Sequence, residues 1–307
     1  MPDQPVIYEV PLVLEAQGVG DHLTKLLGLG GHAPDFTGWK EFLNTYRQGR
    51  GSVEIAVVGK YTELRDAYLS HIEAFHHVQG RLGSTVHLQW YDSEEMPRNP
   101  AALARLERSD GVLVPGGFGA RGIEGKVQAI QIARTRGIPY LGVCYGFQMQ
   151  AIEFARNALG LPGANTTEVD LHAADPVVCL LEEQKDVAKL GGTMRLGAQR
   201  VLLTADSGIA RVYGRTEIWE RHRHRYEINP SYLDRFAEHG LKVTGRSPDG
   251  RVEVLELTSH PFFVGVQYHP EFLSRPEAPH PLYLALVRAA LARKEVPAPV
   301  APAPALA

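Results

Sequence analysis

Ile138-Pro-Tyr-Leu-Gly-Val-Cys144-Tyr-Gly-Phe-Gln-Met-Gln-Ala-Ile-Glu-Phe-Ala-Arg156 is the stretch on which the fold of this chain turns. The short apolar run from Tyr140 to Val143 gives way, at Cys144, to a segment with a different period. There Ala151, Phe154, Ala155, Ala158 and Leu159 lie 4, 7, 8, 11 and 12 positions beyond Phe147, the spacing of one helix face. A buried strand therefore feeds a helix, with Cys144 at the junction. Gly142 and Gly146 flank the cysteine as in a nucleophile elbow, where a sharp turn presents the reactive atom and small neighbours relieve crowding. A thiol so placed feels the positive end of the helix dipole, which favours thiolate. The plainer alternative is a packed apolar cysteine in a glycine-rich turn.

Working outward, β-branched runs alternate with amphipathic helices from Val53 onward: VEIAVV, a helix through DAYLSHIEAFHHV, VHLQWY, a helix near AALARLE, GVLVP, a helix through KVQAIQIAR, then IPYLGV. That rhythm predicts an α/β fold with a doubly wound, mostly parallel sheet. Beyond Pro176 the runs lengthen and alternate (TMRLGAQRVLLT, EIWERHRHRYEIN, LKVTGR, VEVLELT, FFVGVQYHP), predicting antiparallel strands added to that sheet. A last helix, PLYLALVRAALARK, precedes a Pro/Ala-rich segment, 294–307, whose composition predicts disorder. Residues 1–50 show short apolar runs broken by glycines, with Trp39 and Phe42 in a helix. They read as a connector ahead of a domain spanning 51–293.

The composition suits an ordinary globule: 307 residues, 44% hydrophobic, 22% charged, with 32 basic against 35 acidic side chains. So even a balance predicts neither nucleic acid nor an anionic membrane as partner. No run approaches the roughly 18 apolar residues of a spanning helix, and the first residues lack a signal-peptide pattern. With only Cys144 and Cys179 present, a reducing cytoplasm is the expected setting.

Two further segments favour chemistry at Cys144. Gly111-Val-Leu-Val-Pro115-Gly116-Gly117-Phe118-Gly119 is a buried strand ending in a glycine loop. In a doubly wound sheet such a loop lies at the carboxyl edge beside the elbow, so the backbone N–H groups of Gly117 and Tyr145 can converge on an oxyanion. A flexible turn or a phosphate loop is the alternative, but the lysine-serine ending of a Walker A motif is missing. Far downstream stands Phe262-Phe-Val-Gly-Val-Gln-Tyr-His269-Pro-Glu271. Residues two apart on an extended segment share a side, so Glu271 can fix the tautomer of His269 while the other ring nitrogen faces Cys144. Nucleophile, base and orienter are then all present. Arg221-His-Arg-His-Arg225 could pass for a nucleic-acid patch or a metal cluster, but no second basic stripe or Cys/His set accompanies it.

PGGFG (115–119), GVCYGFQ (142–148) and QYHPEF (267–272) resemble the three signature segments of class I glutamine amidotransferases, in order and at the expected spacing. GANTTEVD (163–170), LGGTMRLGAQ (190–199) and ERHRHRYEIN (220–229) resemble stretches of the CTP synthase family, as does the N-terminal IYEVPLVLEAQGVGDHL, which looks like the connector leaving the synthase half. The resemblance implies the class I amidotransferase, flavodoxin-like fold and glutamine hydrolysis, with Cys144 as nucleophile and His269 and Glu271 completing the triad. Gly117, Tyr145, Gly146, Phe147 and Gln148 would line the glutamine site. Glu168 and Arg225 would hold the α-amino and α-carboxylate groups, and a bidentate arginine suits a carboxylate. Tyr145 and Phe147 stand where the family usually has aliphatic residues. The resemblance implies no cofactor or metal for this domain. For the full enzyme it implies ATP, Mg and UTP, GTP as activator, and the synthase (amidoligase) domain as partner. A stand-alone γ-glutamyl hydrolase or peptidase, or a non-catalytic docking domain, are the alternatives. RHRHRYE and GGTMRLG speak against the first, and an intact triad against the second.

Overall fold

The computed structural model describes residues 3–30, 33–181 and 194–295. In chain order the elements are α1 (Val10–Ala16), α2 (Val19–Leu26), α3 (Thr37–Tyr46), β1 (Ser52–Gly59), α4 (Leu69–Leu82), β2 (Thr85–Asp92), α5 (Pro100–Leu106), β3 (Gly111–Val114), α6 (Ile123–Thr135), β4 (Tyr140–Val143) and α7 (Tyr145–Asn157). They continue with β5 (Ala164–Thr166), β6 (Asp175–Cys179), β7 (Arg195–Leu203), α8 (Gly208–Tyr213), β8 (Glu217–His224), β9 (Glu227–Ile228), α9 (Leu233–Glu238), β10 (Leu241–Arg246), β11 (Val252–Leu257), β12 (Phe263–Val266) and α10 (Pro281–Glu295).

Nine strands form one sheet in the order β2-β1-β3-β4-β12-β11-β10-β7-β8. From β2 to β12 neighbours run parallel, and from β12 to β8 they run antiparallel. The expected parallel half with antiparallel strands added is thus present. In β1 the alternation sends Ile55 and Val57 into a cluster with Phe75 of α4 and Leu286 of α10. Ala56 and Val58 go into the opposite cluster, with Ile130 of α6 and Phe147 of α7. Helices on both faces explain why β3, β4 and β12 are apolar throughout. Each buried Val or Leu contributes roughly 1.5–3 kcal/mol by leaving water.

Three findings go beyond the sequence reading. A second, three-stranded sheet, β5-β6-β9, closes over the C-terminal part of α7; strands of two to five residues give no period to detect. The apolar runs before residue 30 form a 3-10 turn, Ile7–Glu9, and then α1 and α2. Tyr8, Phe42 and Leu43 build a small core of their own, and the Tyr8 hydroxyl donates to Glu73 of α4 at 2.5 Å. Gly80 makes that docking possible, because a Cβ there would stand 1.8 Å from the Phe42 ring. At the other end α10 continues through Glu295. Residues 296–307, most of the segment expected to be disordered, and 190–193 of the LGGTMRLGAQ block lie outside the described residues. No helix among the described residues is long and apolar enough to cross a membrane.

Candidate active site

Strands β3, β4 and β12 are adjacent and parallel, so their carboxyl ends deliver three loops to one place: the glycine loop, the elbow and His269. Cys144 follows β4 with φ 50° and ψ −96°, one of two non-glycine residues with positive φ among those described. Such strain persists only where the surroundings enforce it. Here they do: Cys144 N–H donates to Val266 O at 2.8 Å, and a Cβ on Gly146 would lie 2.1 Å from Val114 O. One on Gly142 would lie 2.3 Å from the Tyr140 hydroxyl. Both glycines are required by close approach, as the elbow reading expects.

A cavity of about 610 Å³ opens over the thiol, lined by Gly116, Gly117, Phe118, Cys144, Gln148, Glu168, Arg223, His224, Arg225, Tyr226 and His269, among others. The glycine loop is tight against both Cys144 and His269: a Cβ on Gly116 would be 2.9 Å from His269 Cε1 and 3.7 Å from Cys144 Cβ. One on Gly117 would be 3.6 Å from the Tyr145 ring. Glu168 accepts from Gly119 N–H at 2.8 Å. The zwitterion-binding pair expected from the sequence, Glu168 and Arg225, therefore shares the cavity with Cys144 and His269.

The side chains of Tyr145 and Phe147 do not point into it. Phe147 is fully buried on the side of α7 facing β12, near Gly265. The Tyr145 side chain turns away to donate its hydroxyl to Gly119 O at 2.6 Å, bracing the glycine loop, and Gly146 is pinned on Val114. The helical turn of 100° per residue is the reason: successive residues after the elbow cannot all face the same cavity.

His269 is held at both ends. Its backbone N–H donates to Arg221 O of β8 at 2.8 Å, and its Nδ1 contacts Glu271 Oε1 at 2.7 Å. His269 Nε2 is buried without a well-formed hydrogen bond. Burial lowers the imidazole pKa, but the facing Cys144 sulfur, when negative, and then Glu271 outweigh it and lift it to about 11. Catalytic contacts of this kind often tighten only when substrate arrives. Cys144 Sγ also lies 3.7 Å from Arg223 O and accepts from Gln267 Nε2 at 3.8 Å. Gln267 was missed in the sequence, although it stands two residues before His269 on the same extended run and alternation places it on the same side.

The inward face of β8 carries Glu220, His222 and His224, all buried. His222, His224 and Glu253 bring potential ligand atoms within 4.8 Å of one another. The place is already cationic: Arg195 reaches Glu253 at 2.6 Å and Glu227 at 3.5 Å, and Arg251 approaches Glu227 at 3.8 Å. Burial, and next Arg195, push the His224 pKa well below its usual value. A divalent cation would have to displace Arg195 from Glu253, so the set reads as a buried ion network behind the cavity wall.

Residues 63–289 match the family model for class I glutamine amidotransferases. The chain is 48% identical to a CTP synthase of Methanopyrus kandleri and 48% identical to one of Thermococcus kodakarensis, each match covering 94% of this chain and 54% of the relative. A CTP synthase of Synechococcus sp. is 49% identical over 96% of this chain and 54% of its own. The chain thus spans about half the length of the curated relatives it matches. Among solved structures, the glutaminase domain of Trypanosoma brucei CTPS with bound acivicin superposes with a TM-score of 0.75 at 38% identity, over 80% of this chain and 96% of that one.

Proposed function

This chain belongs to the class I glutamine amidotransferase family, and on that premise we propose that Cys144, His269 and Glu271 hydrolyse glutamine as the glutaminase half of a CTP synthase. One observation carries the reading. A strained cysteine and a carboxylate-braced histidine share a cavity with one acidic and one basic side chain, Glu168 and Arg225, suited to an amino acid's head.

In the proposed course the Cys144 thiolate attacks the side-chain amide carbon of glutamine. The backbone N–H groups of Gly117 and Tyr145 receive the oxyanion. The His269 imidazolium gives its proton to the departing nitrogen, releasing ammonia and leaving a γ-glutamyl thioester. Water, deprotonated by His269, then adds to the thioester, and glutamate leaves as the thiol is restored. Glu271 keeps the imidazole oriented throughout. In the longer enzyme the ammonia would go to a synthase domain that aminates UTP using ATP and Mg, with GTP as activator.

Ammonia release from glutamine by the purified chain is the direct test. Cys144→Ala abolishes it while the melting temperature stays near that of the wild type, and alkylation maps to Cys144 before Cys179. Sustained turnover by Cys144→Ala would sink the reading. UTP and ATP, added together to this chain alone, leave the rate unchanged, because a ligand shifts activity only through a site that distinguishes two states.

A further inference from the structure

His71 belongs to no motif of the sequence, yet it stands behind the candidate triad. It sits on α4, 5% exposed, with Nε2 3.6 Å from Glu271 Oε1. That is the same oxygen that meets His269 Nδ1. At 3.6 Å the contact is electrostatic rather than a formed hydrogen bond. The other ring nitrogen, Nδ1, is hydrogen-bonded to the Tyr283 hydroxyl of α10. Burial, and then Glu271, raise the Tyr283 pKa far above the usual tyrosine value, so that hydroxyl keeps its proton and donates it. Nδ1 is then the acceptor, and a neutral His71 carries its hydrogen on Nε2, the nitrogen nearer Glu271. Burial lowers the His71 pKa against the pull of Glu271, which favours the neutral form.

Glu271 needs such a neighbour. It is 6% exposed, and its Oε2 is buried with no hydrogen-bond partner. A buried carboxylate held through one oxygen tends to take up a proton. Burial pushes the Glu271 pKa up; His71, when charged, and then His269 draw it below the ordinary glutamate value, and a neutral His71 acts on the carboxylate only through the dipole of its Nε2–H, 3.6 Å away. The titratable groups facing this pair are few: Tyr68 from the turn before α4, Tyr283 from α10, and His269 from the loop after β12.

We propose that His71 is a positioning residue, which keeps Glu271 ionised and aimed at His269 through its Nε2–H, with Tyr283 fixing the tautomer. The array Cys144, His269 and Glu271 thereby gains a fourth member supplied by α4 and a brace supplied by α10. The inference rests on the hydrolytic reading of the triad given above.

Three variants of the full chain test it: His71→Phe, which keeps a ring but no N–H; His71→Gln, which keeps a donor; and Tyr283→Phe, which frees the tautomer. Two quantities are read between about pH 5.5 and about pH 9, spanning the histidine range. One is kcat and KM for glutamine. The other is the rate at which iodoacetamide alkylates Cys144, followed by peptide mass spectrometry, which needs no turnover. His71→Phe lowers kcat on the order of 10- to 100-fold, as loss of an outer partner commonly does, and leaves KM almost unchanged. It moves the acidic limb of the kcat profile to higher pH and slows alkylation in parallel. His71→Gln restores most of both, and Tyr283→Phe falls between. A folded His71→Phe with wild-type kcat profile and alkylation rate overturns the proposal. Should His71→Phe fail to fold, an unaltered kcat profile and alkylation rate in folded Tyr283→Phe overturn it. If the wild type releases no ammonia yet alkylation still slows in His71→Phe, the hydrolytic reading falls and the positioning role stands. If the wild type turns over and no variant differs from it, the positioning role falls alone.

Discussion

The parallel strands β1, β3, β4 and β12 and the antiparallel pair β7 and β8 lie in one sheet, but they bury opposite chemistry. The first group is covered on both faces by helices and filled with Val, Leu, Ile and Tyr. In the second, His222 meets Glu253, His224 approaches Glu227, Glu220 pairs with His280 of the loop before α10, and Arg195 of β7 reaches Glu253, while Trp219 and Leu196 remain outside, at 60% and 57% exposure. The parallel group supplies the rigid carboxyl edge on which Cys144 and His269 stand. The antiparallel pair supplies the wall, and its stiffness rests on paired charges rather than apolar fill. A wall of this kind carries stronger pH dependence and larger penalties for losing one partner.

Removing a partner is the largest way to test that contrast. Glu253→Ala leaves Arg195 and His222 facing a hole and costs about 3–5 kcal/mol in denaturant unfolding. Leu141→Ala in β4, a cavity in apolar surroundings, costs about 2–5 kcal/mol. The distinction lies in the rescue: Glu253→Met combined with Arg195→Met recovers part of the first loss, because the Arg195 charge left without Glu253 is gone and Glu227 keeps Arg251 at 3.8 Å. Failure of the double variant to recover any stability would mean that shape, not charge, governs the wall.

A smaller effect reads the same network through pH. Burial, against the pull of Arg195, raises the Glu227 pKa from 4.5 to about 8. A raised folded-state pKa gives stability that is fully present below the unfolded value and is lost as pH rises through the folded one. The wild type therefore loses melting temperature from about pH 5 to about pH 9, and Glu227→Gln, which cannot titrate, loses less. Parallel curves for the two proteins would remove Glu227 from the account. Smallest of all is Trp219→Ser on the outer face of β8, within about 0.5 kcal/mol of wild type, as is usual for surface sites. A larger shift by calorimetry would show that the outer face is not free surface.

Much of the candidate site was legible because its parts announce themselves locally. The elbow is a change of period flanked by two glycines, and the candidate base stands in a His-Pro-Glu run after an apolar strand. Gln267 was legible too, two residues before His269, whereas Glu271 reaches His269 from a 3-10 turn, Pro270–Leu273, and not from the extended segment expected. The placement of Tyr145 and Phe147 was not, because which helix positions face a cavity depends on the roll of α7 against β12, set where Gly265 admits Gln150 and Phe147. The charges of 220–229 were equally ambiguous: a strand of alternating Arg and His looks the same whether its histidines face water or a buried glutamate. His71 offers no local sign at all.

By itself, then, the sequence determined the succession of strands and helices in the parallel half of the main sheet, the sharp turn at Cys144 and the three side chains of the candidate triad, since these follow from backbone sterics and side-chain period over a few residues. The tertiary structure decided that β12, the last strand in chain order among the described residues, pairs with β4 and so sets His269 beside Cys144. It also decided that α4 and α10 place His71 and Tyr283 behind Glu271. Strand pairing and burial of charge depend on groups far apart along the chain, whose interaction energies exist only once the apolar faces of β4, β12, α4 and α10 have come together.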